Sequence, residues 1–262
     1  MSVPLATLDP QKLGWLLVGH GTREETGLAE ARQVVELVSR AERSAVVELA
    51  FLEFAEPTIS DGFRRVVERG AQRVIVVPLM LFAAGHAKEH IPREILQARE
   101  NYPHVAVEQS EHLGCHPAIL ALSAQRYAEA LAGRSNIPSA RTALVFVGRG
   151  SHDAAATREM ESFAALRARE NSAASVSVGF VAMAQPALAE VLERAAQSSA
   201  ERIVVQPHLL FAGLLLDRIR EQVANMARRQ PQKEWIVTQQ LGADAMLVDA
   251  IADRACRPVR LA

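Results

Sequence analysis

The sequence predicts an α/β fold built from two tandem copies of one doubly wound unit, each a parallel sheet with helices on both faces. Three observations predict it: short, continuous apolar runs, longer amphipathic segments between them, and blocks of sequence that recur at a fixed spacing. Continuous apolar runs are typical of strands covered on both faces, and strands that alternate with helices form parallel sheets. At 262 residues the chain is long enough for two domains of ordinary size.

The predicted strands of the first copy are four apolar runs, each too short for an amphipathic helix. They read WLLVG at 15–19, VVELAFLE at 46–53, RVIVVP at 73–78 and VAVE at 105–108. Between the first two runs, a charged segment carries apolar residues at three- and four-residue spacing, namely Leu28, Ala31, Val35 and Val38. This spacing predicts a helix that lays one apolar stripe on the sheet. Ligands of such sheets bind beyond the carboxyl ends of the strands, so a site is expected at that edge.

Three blocks of the first half recur 129 residues later, in the second half. LLVGHGTREE matches VFVGRGSHDA, FLEFAEPTI matches FVAMAQPAL, and RVIVVPLMLFAAG matches RIVVQPHLLFAGL. Repetition at one spacing predicts two copies of one fold unit. The sequence therefore predicts domains at 1–133 and 141–262, joined by a linker at 134–140 that is rich in turn-forming residues.

The composition argues against several classes of function. Lys and Arg number 29 against 30 Asp and Glu, so the net charge of -1 gives no global field that would attract nucleic acid or an anionic membrane. The two cysteines are far apart and form no Cys-x-x-Cys pair, which fits a reducing cytoplasm. The N-terminal segment lacks the pattern of a signal peptide, and no apolar run approaches the roughly 20 residues of a membrane helix. The expected location is the cytoplasm.

Three residues with metal-ligand chemistry follow predicted strands of the first copy: His20, Glu53 and His86. They are spaced 33 residues apart, close to the length of one strand–helix unit in this fold. Successive units would therefore each present one ligand at the same edge of the sheet. Two imidazoles and a carboxylate suit a borderline divalent ion such as cobalt, iron, nickel or zinc, with open positions left for a substrate.

The second copy has different side chains at all three of these positions. Arg149, Ala182 and Leu215 stand there, while the surrounding apolar frame is kept. If the residues of the first copy only packed the strand ends, the second copy would need similar groups. Their joint loss indicates that the three residues of the first copy act together in one site.

Structural interpretations stay open for individual residues. The glycines around His20 serve a tight turn, which leaves the imidazole itself unexplained. Glu53 taken alone could be a solvated acid. His90 could lie on the same helix face as His86 and extend the site, or it could face solvent. His208 has no assigned function.

The segment HLGCHP at 112–117 could also bind a metal, through His112, Cys115 and His116. Its counterpart QLGADA has Asp244 in place of His116, directly before a predicted helix. That is the position of an N-cap, and Pro117 would then occupy the first helical position. The pattern favours helix capping over metal binding.

With these residues in place, the sequence resembles the long, internally duplicated sirohydrochlorin chelatases. The resemblance covers nearly the whole chain and is carried by VGHGTREE, FLEFAEPTI, LMLFAAGHAKEHIP, VGRGSHD and LLFAGLLLDRI. It implies two chelatase-like domains and a single-subunit, ATP-independent lyase that inserts cobalt or iron into sirohydrochlorin, on the routes to cobalamin and sirohaem. It places the active-site histidines at His20 and His86 and the acidic metal-site residue at Glu53. Relatives usually have an aspartate where this chain has His90, so no acid is available for a role there.

The resemblance also implies what the protein binds. Sirohydrochlorin carries many carboxylates, for which Arg23, Lys88 and Arg149 are candidate contacts. The divalent metal, Co2+ or Fe2+, is the second substrate; the Irving–Williams order lets Ni2+ or Zn2+ bind as well, and no tightly bound cofactor is expected. No nucleic acid or membrane partner is expected. A fused duplication can supply the interface that a half-length relative makes by dimerising, so we expect a monomer.

The predicted mechanism uses His20 and His86 as neutral imidazoles that bind the ion and relay the released pyrrole protons, while Glu53 neutralises the charge of the ion. Two other classes of function stay open. A binding module would hold a metal or a tetrapyrrole for delivery without turnover, and a purely structural duplication would show no metal-dependent stabilisation. A nucleotide-binding function is disfavoured because the chain has no Gly-x-x-x-x-Gly-Lys-Ser/Thr loop and GHGTRE lacks the further glycine of a dinucleotide fingerprint.

Overall fold

The computed structural model describes residues 13–82, 85–169 and 173–261, with the backbone alone for 85–88. The first part of the chain forms β1 (Leu13–Gly19), α1 (Glu25–Ala41), β2 (Ala45–Phe51), α2 (Ile59–Glu68), β3 (Arg73–Leu79), α3 (Gly85–Arg99), β4 (Ala106–Gln109) and α4 (Pro117–Leu131). The second part forms β5 (Thr142–Gly148), α5 (Ala154–Arg169), β6 (Ser175–Phe180), α6 (Leu188–Gln197), β7 (Arg202–Pro207), α7 (Leu214–Arg229), β8 (Glu234–Val237), α8 (Ala245–Ala255) and β9 (Val259–Arg260). In the described ranges, no helix is both long enough and apolar enough to cross a membrane.

The strands form two sheets, which confirms the predicted α/β class and its duplication. The first sheet has the order β2-β1-β3-β4-β9, and the second has the order β6-β5-β7-β8. All pairs are parallel except that of β4 with β9, a short antiparallel edge that the sequence pattern did not predict. In each sheet the first strand of the repeat, β1 or β5, lies between the second and third strands of that repeat. Because these three strands are parallel, their carboxyl ends lie at the same edge of the sheet.

Helix α2 shows how the sequence fixes a helix on the sheet. Thr58 is the N-cap, and its Oγ1 accepts a hydrogen bond from the backbone N–H of Asp61 at 3.2 Å. The face turned to the core consists of Ile59, Gly62, Phe63 and Val66. A Cβ atom on Gly62 would lie 2.8 Å from Cδ1 of Leu16 in β1, so the lack of a side chain lets the helix approach the sheet closely.

The chain divides into two compact units that exchange one helix relative to the sequence repeats. The first unit is Met1–Leu113 with Ala243–Ala262, and the second is Gly114–Gly242. Helix α8 therefore packs on α1 and β3 of the first unit, and α4 packs on α5 of the second. The predicted domains 1–133 and 141–262 follow the repeats of the sequence, and the compact units do not follow those boundaries.

The segment predicted as a linker, 134–140, lies inside the second unit and is bound to it. Arg202 at the start of β7 is buried, and it donates hydrogen bonds to the carbonyl oxygens of Ser135 and Ile137. The same guanidinium binds a carboxylate oxygen of Glu234 at 2.8 Å, and Ser135 Oγ donates to that oxygen at 2.7 Å. Charge-assisted hydrogen bonds of this kind hold the segment against the amino ends of β7 and β8.

Candidate metal and substrate site

The first two predicted ligands lie side by side at the carboxyl edge of the first sheet. His20 directly follows β1, and Glu53 lies two residues after the end of β2. The backbone N–H of Leu52 donates to the carbonyl of Gly19 at 3.0 Å, and that of Glu53 donates to the carbonyl of His20 at 2.9 Å. The hydrogen-bonded pairing of the two strands therefore continues past their ends and places the backbones of His20 and Glu53 next to each other.

Gly21 makes this pairing possible. Its φ of +94° lies in the left-handed region, which glycine adopts without steric cost. A Cβ atom at this position would lie 1.7 Å from the carbonyl oxygen of Glu53, far inside any allowed contact. The second glycine of the GHG motif, Gly21, is thus required because two backbones approach each other closely at the site.

A third side chain, the ring of Phe54, lies against both the imidazole and a predicted substrate contact. The ring centroids of His20 and Phe54 are 6.0 Å apart, with an angle of 24° between the ring planes. The guanidinium carbon of Arg23 lies 5.4 Å from the centroid of the same ring, within the range of a cation–π contact. Two loops, the one after β1 and the one after β2, thus bring an imidazole, an aromatic ring and a cation to one place. The residue pattern did not lead us to Phe54, although it directly follows Glu53.

The third predicted ligand, His86, has its side chain outside the described part of the structure, and so has Lys88. The backbone places His86 as the second residue of α3, which follows β3. Among the side chains that are described, no group of three or more His, Cys, Asp or Glu residues could hold a metal ion. The three-residue set therefore stays a prediction. The structure places the backbones of two of its members, His20 and Glu53, next to each other.

The second repeat has the same backbone arrangement without these two side chains. Arg149 follows β5, and its carbonyl accepts a hydrogen bond from the N–H of Ala182 at 2.9 Å. Gly150 has a φ of +89°, and a Cβ there would lie 1.7 Å from the carbonyl oxygen of Ala182. The scaffold of the site is therefore duplicated, while its imidazole and carboxylate occur in the first copy. The guanidinium of Arg149 stands exposed at the matching edge.

The capping interpretation of HLGCHP is confirmed. His116 is the N-cap of α4, and its Nδ1 accepts a hydrogen bond from the backbone N–H of Ala118 at 3.2 Å. Pro117 occupies the first position of the helix. Asp244 caps α8 in the same way, with its Oδ1 accepting from the N–H of Met246 at 3.0 Å. Helix capping thus accounts for the histidine that matches Asp244.

The two unassigned histidines differ in their surroundings. His90 is half-buried on α3, near its start. His208, just after β7, is buried with its ring centroid 4.0 Å from that of Phe163. Burial lowers the pKa of His208 from 6.5 to about 3, so the imidazole is neutral near pH 7. Its environment is that of a core residue of the second unit.

The two sheets, with His20 and Glu53 on adjacent backbones, define a tandem α/β protein with a candidate metal site at a strand edge of its first repeat. The chain belongs to the CbiX family, whose model matches residues 14–130 and again 143–257. It is 35% identical over 228 residues to the sirohydrochlorin ferrochelatase of Priestia megaterium, which covers 87% of this chain and 83% of the relative. It is 32% identical over 241 residues to the sirohydrochlorin cobaltochelatase of the same organism, covering 92% and 78%.

Solved structures give the same family at the level of the fold. SirB from Bacillus subtilis with Fe3+ has a TM-score of 0.83 to this chain and 28% identity, over 94% of both chains. The SirB structure from Bacillus subtilis subspecies spizizenii in complex with cobalt has a TM-score of 0.77 and 29% identity, again over 94% of both chains. Both relatives match the two repeats together.

Proposed function

We propose that the protein is a sirohydrochlorin chelatase, a lyase that inserts a divalent metal ion, Co2+ or Fe2+, into sirohydrochlorin. The observation that carries this proposal is the backbone pairing that sets His20 beside Glu53 at the strand edge, in the repeat that also contains His86. The two Priestia megaterium relatives, named as a ferrochelatase and a cobaltochelatase, support this substrate class. We further propose that the reaction belongs to cobalamin or sirohaem biosynthesis.

The chemistry exchanges two pyrrole protons of the macrocycle for one metal dication. The incoming ion must lose water ligands, and the ring nitrogens must lose their protons. We assign His20 and His86 as neutral imidazoles whose ring nitrogens bind the ion at the edge of the sheet. As the ion passes to the macrocycle, the same nitrogens accept or relay the released protons. Glu53 is exposed, so its oxygen atoms are accessible to the ion and to water that carries the protons away. In this scheme the metal is a substrate, and no resident cofactor takes part.

Cationic side chains near the site would hold the carboxylates of the macrocycle. Arg23 is exposed beside His20, and Arg149 is exposed at the matching edge of the second repeat. Lys88, two residues after His86, is the third candidate. Guanidinium groups bind carboxylates through two parallel hydrogen bonds, which suits a substrate with many of them. We further propose that the protein acts in the cytoplasm as a monomer, with sirohydrochlorin and the metal ion as partners.

The test is metal insertion by the purified protein under anaerobic conditions. Sirohydrochlorin is mixed with Co2+ or Fe2+, and the absorbance change of the macrocycle is followed against a blank without protein. We expect insertion well above the blank, and a loss of about 100-fold or more in the variants His20→Ala and His86→Ala, as for removal of a proton-transfer group. His104→Ala is the matched control, because His104 is exposed in the loop before β4, at the opposite edge of the sheet.

Two outcomes would contradict the proposal. Rates no higher than the blank, with metal or macrocycle still bound, would indicate a delivery protein in place of an enzyme. Equal losses of insertion activity in His20→Ala and His104→Ala would show that the activity does not depend on the strand-edge site. A thermal unfolding curve with and without Co2+ adds a check, since a ligand that binds the folded state raises its stability.

A further inference from the structure

The exposed side chain and left-handed backbone of Phe54 are not explained by a contribution to the stability of the fold. Its side chain is 57% exposed, so little of its apolar area is removed from water. Its φ of +62° lies in the left-handed region, which bulky residues rarely adopt. Non-glycine residues held in this region cluster at functional sites. An exposed aromatic ring on such a backbone, beside a candidate metal ligand, calls for a functional reason.

The second repeat separates the role of the backbone from the role of the ring. Met183 stands at the matching position, with a φ of +56° and 48% exposure. The left-handed turn is therefore a property of the shared scaffold and forms without an aromatic residue. The aromatic ring occurs in the repeat where His20 follows the neighbouring strand, and Arg149 takes that place in the other repeat.

The surroundings of the ring have the chemistry of a surface for a flat, anionic, conjugated molecule. The imidazole of His20 stacks on Phe54 at 6.0 Å, and the guanidinium of Arg23 lies 5.4 Å from the ring centroid. An aromatic ring offers apolar area and offset stacking to another π-system. A cation held over that ring can meet a carboxylate at the edge of the bound molecule. Metal donor, stacking surface and cation thus occur within one small part of the first unit.

We propose that Phe54 is a substrate-contacting residue that receives the conjugated face of the macrocycle beside His20. Arg23, held by the same ring, binds one of the peripheral carboxylates. This inference rests on the proposed function for the identity of the macrocycle, and it adds the residue that determines how strongly the ring is bound. Phe54 contributes to binding of the tetrapyrrole and leaves binding of the free metal ion unchanged.

The experiment compares the variants Phe54→Leu and Phe54→Trp with the full-length wild-type protein. The Kd of metal-free sirohydrochlorin is measured by its fluorescence, and the Kd of Co2+ alone is measured by calorimetry. Loss of one aromatic contact raises the Kd of the macrocycle about 2- to 12-fold in Phe54→Leu, whereas Phe54→Trp keeps it within about 2-fold of wild type. In insertion assays the KM for sirohydrochlorin rises by a similar factor, and kcat and the Kd of Co2+ stay unchanged.

Met183→Leu is the matched control, because Met183 has the same left-handed backbone and similar exposure without an adjacent imidazole. It should leave the Kd of the macrocycle unchanged. If Phe54→Leu lowers the yield of folded protein, Phe54→Asn and Met183→Asn replace the pair, since asparagine tolerates a left-handed backbone.

Three results would overturn the inference: an unchanged Kd of the macrocycle in Phe54→Leu, an equal rise in Met183→Leu, or a rise confined to the Kd of Co2+. The last result would make Phe54 a positioning residue for His20. These outcomes are distinct from failure of the proposed function. A protein that binds sirohydrochlorin through Phe54 yet inserts no metal would refute the chelatase and leave the inference intact.

Discussion

Replacement of Gly21 by alanine tests whether the backbone pairing at the strand edge builds the site. The new Cβ would lie 1.7 Å from the carbonyl oxygen of Glu53, so the two loops must separate. A left-handed backbone costs alanine about 1–2 kcal/mol, and the disrupted hydrogen bond from Glu53 to His20 costs about 0.5–1.5 kcal/mol more. We therefore expect Gly21→Ala to lower the free energy of unfolding by about 2–3 kcal/mol. Because the loops carry two of the proposed metal ligands, insertion should fall about 10- to 100-fold.

Two other glycines separate these contributions. Gly70 has a φ of +97°, and a Cβ atom added there would meet nothing within 4 Å, so Gly70→Ala measures the cost of the left-handed backbone alone. Gly150 repeats the clash of Gly21, at 1.7 Å from the carbonyl oxygen of Ala182. Gly150→Ala should match Gly21→Ala in lost stability while keeping most of the insertion activity.

The assays are urea unfolding, followed by circular dichroism, and the rate of Co2+ insertion into sirohydrochlorin. The reasoning is refuted if Gly21→Ala is no less stable than Gly70→Ala and retains the wild-type rate. Equal loss of activity in Gly21→Ala and Gly150→Ala would show instead that the turns act through overall stability.

Three further predictions concern the pH dependence, a helix cap and the duplicated scaffold. Burial lowers the pKa of His208 to about 3, so below pH 6.5 the unfolded chain binds a proton that the folded chain does not. As the pH is lowered from 6.5 to 3, the free energy of unfolding should therefore fall by up to about 1.4 kcal/mol per pH unit. Urea unfolding at several pH values measures this dependence, and a His208→Leu variant whose free energy of unfolding varies with pH as in the wild type would contradict the prediction. Thr58→Ala removes the N-cap of α2 and should cost about 1 kcal/mol in the same assay, with insertion unaffected. The double variant Arg149→His/Ala182→Glu restores an imidazole and a carboxylate on the second scaffold, and calorimetry should then detect a second Co2+ site that the wild-type protein lacks.

The candidate pair could be predicted from the sequence because parallel strands end at a common edge. A spacing of 33 residues between His20 and Glu53 corresponds to one strand–helix unit, and the sheet order sets the two strand ends side by side. The cap at His116 was also predictable, since capping depends on residues adjacent in the chain and on a visible counterpart at Asp244. Local geometry and sheet periodicity are the properties that a single sequence records well.

Other features depend on contacts that sequence periodicity does not encode. The apolar stripes of α4 and α8 show that each helix must be covered, and they do not show which unit covers it. The exposed ring of Phe54 was not predicted because sequence periodicity does not reveal the left-handed backbone on which it stands. Strand β9 has two residues, too few for a periodic signal.

The exchange of α4 and α8 makes the two halves of the chain mutually dependent for their folding. A fragment cut at 134–140 would lack α8 on the surface formed by α1 and β3, and it would carry α4 without its partner α5. Two separate halves would have to associate and exchange helices, as in a domain-swapped dimer. Fusion into one polypeptide turns that second-order encounter into an intramolecular step at high effective concentration. The second half can therefore have Arg149 and Ala182 at the positions of His20 and Glu53 and still be required as a folding partner.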